Sequence, residues 1–150
     1  MQATHERAVK VLNSLIETTL DSASGYADAA EAADNPEFKT MFMERAERRR
    51  DLSRRLQDEV RSFGGEPEHD QSVLGKAHNK FAELRGKLMG ASDKGVIDEV
   101  ERGEDVIKAK FEMASREEDL PESARQVVAS AYASVKADHD DISRLKHQMH

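Results

Sequence analysis

Cysteine is absent from these 150 residues, and with it go disulfide cross-links, thiolate metal sites and thiol nucleophiles. Tryptophan is absent too, aromatic residues make up only 5%, and there are 3 prolines and 8 glycines. So little turn-forming and strand-forming chemistry argues against a sheet protein and for long amphipathic helices. No stretch approaches the ~20 apolar residues of a membrane-spanning helix. The N-terminus, with Glu6 and no long apolar run, lacks the pattern of a signal peptide. The expectation is a soluble cytoplasmic protein with no membrane partner. Positive charge is also short, with 23 Lys and Arg against 30 Asp and Glu and a net charge of -7, whereas a nucleic-acid-binding face needs surplus cations. The local exception is Arg45, Arg48, Arg49, Arg50, Arg54 and Arg55. Glu44, Glu47, Asp51, Asp58 and Glu59 are interleaved with them at helix-face spacing, which reads as an ion-paired, solvated face.

What is present is helical periodicity. A chain of this length supports one domain, 1–150, with a real core. A first helix is expected over about residues 4–33, its stripe formed by Val9, Leu12, Ile16, Thr19, Ala23, Tyr26 and Ala30. Asp34-Asn35-Pro36-Glu37 then stops one helix and starts the next, because Asp or Asn caps, Pro fits the first turn and Glu favours the positive helix end. A second helix is expected over about 37–63, carrying Phe38, Phe42, Leu52, Leu56, Val60 and Phe63, with Gly64-Gly65 as its stop. Residues 66–93 read as a crossover with a short helix capped by Ser72 and carrying Val73, Leu74, Ala77, Phe81, Leu84 and Leu88. Third and fourth long helices follow over about 96–117 and 122–148.

Tyr26 to Pro36 and Phe111 to Pro121 have the same separation, each with an aromatic, an alanine three residues later and an Asp-x-Pro-Glu turn. The same turn joining two long helix pairs suggests two copies of one helical hairpin. Two hairpins linked by a long crossover make the ferritin-type connection of an all-α four-helix bundle.

The third helix carries the chain's most informative oddity. Its seam runs Ile97, Val100, Glu104, Ile107, Phe111 and Ala114 in steps of three and four, so an acid holds a core position. A carboxylate there must be neutralised by a metal, a cation or a proton. Asp138 sits likewise on the fourth stripe, between Val135 and Ile142, with His139 beside it. On the second helix, counting from Phe42 lands on Arg45 or Ala46 and then on Arg49 before Leu52.

Two readings follow. In the first, the ions are mutual partners: Arg45 or Arg49 meets Glu104 and Asp138 in charge-assisted bonds, with His139 and Tyr26 nearby, forming an interior polar layer that fixes helix register. In the second, carboxylates and an imidazole hold iron or manganese, and Glu17, Glu44, Glu101, Glu104 and His139 are the metal candidates. A carboxylate-bridged di-metal site draws a Glu from each of two helices and a Glu-x-x-His pair from each of the other two. Here Glu44-x-x-Glu47 has no His, Lys136 stands where the partner of His139 is wanted, and the only Glu-x-x-His, Glu66 to His69, lies in a Pro-containing loop. No Gly-x-Ser-x-Gly or Gly-rich phosphate loop supports nucleophilic or nucleotide chemistry.

The chain resembles a family through Leu12-Asn13-Ser14-Leu15-Ile16-Glu17-Thr18, the Asp-Asn-Pro-Glu turn, Glu59 to Pro67, Glu101-Arg102-Gly103-Glu104-Asp105, the Asp-Leu-Pro turn, and Val135 to Asp140. It is similar over nearly its whole length to bacterial ferritin-like four-helix-bundle proteins catalogued as a domain of unknown function, the 2383 group. The resemblance implies the fold, a cytoplasmic setting and an association with stress proteins. The expected function is that of a non-catalytic or weakly metal-binding bundle with a stress-related or scaffolding role. The alternatives are a di-metal oxidase or metal-storage unit, and a protein-interaction module whose apolar patch around Val73, Phe81 and Leu88 drives binding or homo-oligomer formation.

Overall fold

The computed structural model describes residues 2–68, 88 and 90–149, and among them every regular element is helical. Helices α1 (Gln2–Ala32) and α2 (Pro36–Ser62) form one pair, α3 (Asp93–Ser115) and α4 (Glu122–Met149) the other. At 1.5 Å per residue, the 31-residue α1 is about 46 Å long.

The turns follow from local chemistry. Asn35, in extended backbone, caps α2 by accepting from the Glu37 amide at 2.9 Å, with Pro36 in the first turn where no amide is needed. The Lys39 ammonium donates to the Ala30 carbonyl at 3.0 Å and closes the end of α1 from the neighbouring helix. Asp93, in the first turn of α3, reaches the same corner: its carboxylate accepts from the backbone amides of Asp34 and Asn35 at 2.7 and 3.1 Å. Ser92 caps α3 through the Gly95 amide at 3.2 Å. After α2, Gly64 takes φ +76°, a left-handed turn that favours glycine. Gly65 then lies so close to Val9 that an added Cβ would meet its methyl carbons at 2.7 and 2.9 Å.

Each helix buries one stripe. On α3 the buried set is Val96, Ile97, Val100, Gly103, Glu104, Ile107, Phe111 and Ala114. On α4 it is Ala124, Val128, Ala131, Val135, Asp138 and Ile142. The apolar residues divide into two clusters. One holds Leu12 and Ile16 with Leu56, Val60, Ile107, Phe111 and Val128. The other holds Tyr26 and Ala30 with Phe42, Val96, Ile97 and Ile142.

These memberships fix the helix directions. Helices α1 and α4 run from the first cluster to the second, and α2 and α3 run from the second to the first. Helix α1 packs on α2 and α3, and α4 packs on α3 and α2, so all neighbours are antiparallel and the parallel pairs lie across the diagonals. The chain between α2 and α3 therefore starts at one end of the bundle and finishes at the other. The short helix expected within 66–93 lies mostly outside the described residues; of its apolar positions only Leu88 is described, buried in the second cluster.

Three of the observed helices begin one to three residues before the expected starts, and α4 begins at the expected Glu122. Three end one or two residues before the expected ends, and α4 runs one residue past it. The third starts earlier because Ser92 caps it. The Asp-x-Pro-Glu motif does not give two like joints, because Asn35 and Pro36 join α1 to α2 in three residues whereas 116–121 separate α3 from α4.

Candidate functional site: a buried ion layer

Between the two apolar clusters, all four helices send polar side chains to the bundle axis. Arg49 of α2 is 1% exposed, and Glu104 of α3, diagonally across, is also 1% exposed. They pair end-on: Nη1 to Oε1 at 2.8 Å and Nη2 to Oε2 at 2.9 Å. Such a bidentate fork is among the strong pairings of a guanidinium with a carboxylate and adds geometric specificity. Arg49 Nη1 also donates to Ser22 Oγ of α1 at 2.7 Å, and Nη2 to Asp138 Oδ2 of α4 at 3.2 Å. The guanidinium carbon stands 5.3 Å from the centre of the Tyr26 ring, within cation–π range.

The layer extends outward between α2 and α4. Arg45, 5% exposed, bonds Asp141 through Nη2 and has Nε 3.8 Å from Asp138 Oδ1. The exposed Arg48 reaches Asp138 Oδ1 at 3.1 Å. Asp141 also takes Arg144 at 3.2 Å. Alternating charge thus runs from Glu104 at the axis through Arg49 and Asp138 to Arg48 at the surface. Helical spacing dictates this order, because Arg45 and Arg49 are one turn apart on one face and Arg48 flanks them.

Protonation states follow from the packing. Burial, the largest single influence, would ease a proton off Arg49, but the groups around it, Glu104 foremost and Asp138 with it, together hold the guanidinium above its ordinary value. Burial, reinforced by Glu104, pushes the Tyr26 phenol up, so it keeps its proton at all physiological pH. Arg49 is accordingly a permanent cation whose charge is met within the fold.

The proposed metal donors are not brought together. Glu44 faces solvent. Glu17 is half-buried, its carboxyl raised first by burial and then by Glu68. Glu101 accepts from Lys146 at 2.8 Å, and that bond holds its carboxyl below the ordinary range. His139 lies off the axis: its Nε2 is 2.7 Å from Asp105 Oδ1 and its Nδ1 3.2 Å from Asp140 Oδ1. It clasps α3 to α4 on the flank and is not within the Arg49 cluster. Glu104 has both oxygens on Arg49. Among the described residues no three His, Asp or Glu side chains are grouped to hold a metal ion.

Three members of the layer escaped sequence reasoning: Ser22, Asp141 and Arg48 as a firm partner of Asp138. Steps of one helical turn were the available signal, since Ser22 precedes Tyr26 by four and Asp141 follows Asp138 by three.

No described helix is long and apolar enough to cross a membrane. No curated protein matches the chain. The model of the family described as a domain of unknown function, DUF2383, matches residues 7–117, and the chain belongs to that family.

Proposed function

We propose that the protein is a non-catalytic, ferritin-like helical scaffold whose mid-height charged layer is neutralised by its own arginines. The single observation that carries this reading is the bidentate pairing of Arg49 with Glu104, with Asp138 on the same guanidinium. The carboxylate oxygens that a bundle would offer a cation at its centre are committed to a covalently tethered one. The directions of the four helices, with neighbours antiparallel and a crossover between α2 and α3, support the ferritin-like placement. A stress-related, cytoplasmic setting rests on the family resemblance alone.

Such a layer does little for net stability, because desolvating the ions offsets much of their attraction. What it does is select one arrangement. Any rotation or one-turn slip of a helix would strand Glu104 or Asp138 in the apolar clusters above and below, so the four helices lock in one register. A fixed register is what a scaffold needs in order to present a constant outer surface.

The test is elemental analysis of protein purified without chelator, followed by titration with ferrous iron and with manganese. The scaffold reading expects no stoichiometric metal and no iron oxidation above buffer. Stoichiometric metal that disappears in Glu104→Ala would overturn it in favour of a carboxylate metal centre.

A further inference from the structure

Where the chain leaves α2, the segment 66–68 is strapped across α1 and α2 by its backbone. The Asn13 side-chain amide of α1 holds it twice: its nitrogen donates to the Glu66 carbonyl at 3.0 Å, and its oxygen accepts from the Glu68 amide at 2.8 Å. Gln57 of α2 donates to the Glu68 carbonyl at 2.8 Å. Pro67, between the two glutamates, has no amide to satisfy. Gly65, in close contact with Val9, brings the chain down onto α1 just before the strap.

These bonds bring two like charges together. Glu17 stands one helical turn beyond Asn13 on the same face of α1, so the Glu68 held at Asn13 lies beside it. The Glu17 carboxyl is pushed up first by burial and then by Glu68, while the Lys110 ammonium of α3 draws the other way. Asp21, a further turn along α1, continues the acidic row. The seated strap therefore works against an ionised Glu17 and not against a protonated one.

We propose that the strap 66–68 is an acid-tightened fastening: protonation of Glu17 removes its repulsion from Glu68 and lets Asn13 and Gln57 hold the segment more firmly than at neutral pH. A carboxyl that takes up its proton more readily with the strap seated than with it lifted favours the seated form as pH falls, and the gain disappears above the raised value. The direction is opposite to that of Glu101, whose bond from Lys146 is lost in acid. The chain from α2 to α3 begins at this strap, so acid anchors the link between the two helix pairs at its first point.

Amide hydrogen exchange followed by nuclear magnetic resonance tests this at the Glu68 amide, which is freed when the strap leaves Asn13. Between pH 7 and pH 4.5 its protection in the wild type, corrected for the intrinsic exchange rate, should rise about threefold or more. Glu17→Gln is uncharged at both pH values, so it should show the higher protection already at pH 7 and change little in acid. Asn13→Ala removes the acceptor and should leave the amide open at either pH; protection that survives there would give the amide another partner and overturn the proposal. A wild-type protection that rises by less than this, stays level or falls in acid would also overturn it. So would an equal rise in Glu17→Gln, which would assign the response to a different carboxylate.

Discussion

Replacing Arg49 by methionine isolates the physics of the ion layer. Methionine approximates the arginine stem and removes the charge, so Glu104 is left 1% exposed with neither oxygen neutralised. Asp138 suffers less, because Arg45 and Arg48 remain beside it. Breaking a buried pair from one side costs about 3–5 kcal/mol, since the surviving charge is buried without compensation. For a domain whose total stability is ~5–15 kcal/mol, that is a large share, and at ~2–4 °C per kcal/mol the melting temperature should fall by roughly 6–20 °C. Removing both partners together in Arg49→Met with Glu104→Leu should recover most of the loss, because apolar groups of similar volume need no neutralisation. Urea unfolding followed by circular dichroism, on the two single variants and the double, gives the coupling energy directly. Added salt should not rescue Arg49→Met, since the stranded carboxylate is shielded from counterions. A loss below about 1 kcal/mol in Arg49→Met, or a double variant as weak as the sum of its singles, would refute the account of Arg49 as the neutralising cation.

Three further outcomes follow from particular contacts. Gly65→Ala should destabilise by about 1–3 kcal/mol, because the new Cβ would meet Val9 at 2.7 Å, and Val9→Ala in the same chain should recover part of the loss in urea unfolding. Asn35→Ala removes the acceptor of the Glu37 amide and should lower stability by about 1 kcal/mol in the same assay. Glu101 is held below the ordinary carboxylate range by its bond from Lys146, so its contribution is complete above the unfolded-state value, ~4.3, and is lost as pH falls through the depressed folded value. Glu101→Gln should therefore be weaker than wild type at pH 7, and the two stability curves should converge in acid; a gap that persists at pH 3 would contradict the contact.

The helices and their buried stripes were legible because a 3.6-residue repeat leaves a plain mark on a chain with few glycines and prolines. Glu104 stands out for the same reason: it interrupts the run Ile97, Val100, Ile107, Phe111 at a position where the repeat demands burial. Asp138 does so between Val135 and Ile142. Which arginine meets them was not legible. Arg45, Arg48 and Arg49 lie within about a third of a turn of one another, and helix rotation to that accuracy is set by packing against neighbours.

What the sequence alone determined, then, is local: helix type, caps, stripes and the need for some neutralising group at Glu104. Each depends on residues within a turn or two, whose free-energy preferences do not wait for the rest of the chain. The tertiary structure decided the partners. Glu104 meets Arg49 across a diagonal, 55 residues away, while His139 turns aside to Asp105 and Glu101 is taken by Lys146. Those choices depend on the directions in which four rods pack and on which side chain reaches a given carboxylate first. An arginine has the length and the fork to cross the axis, so it claims the centre.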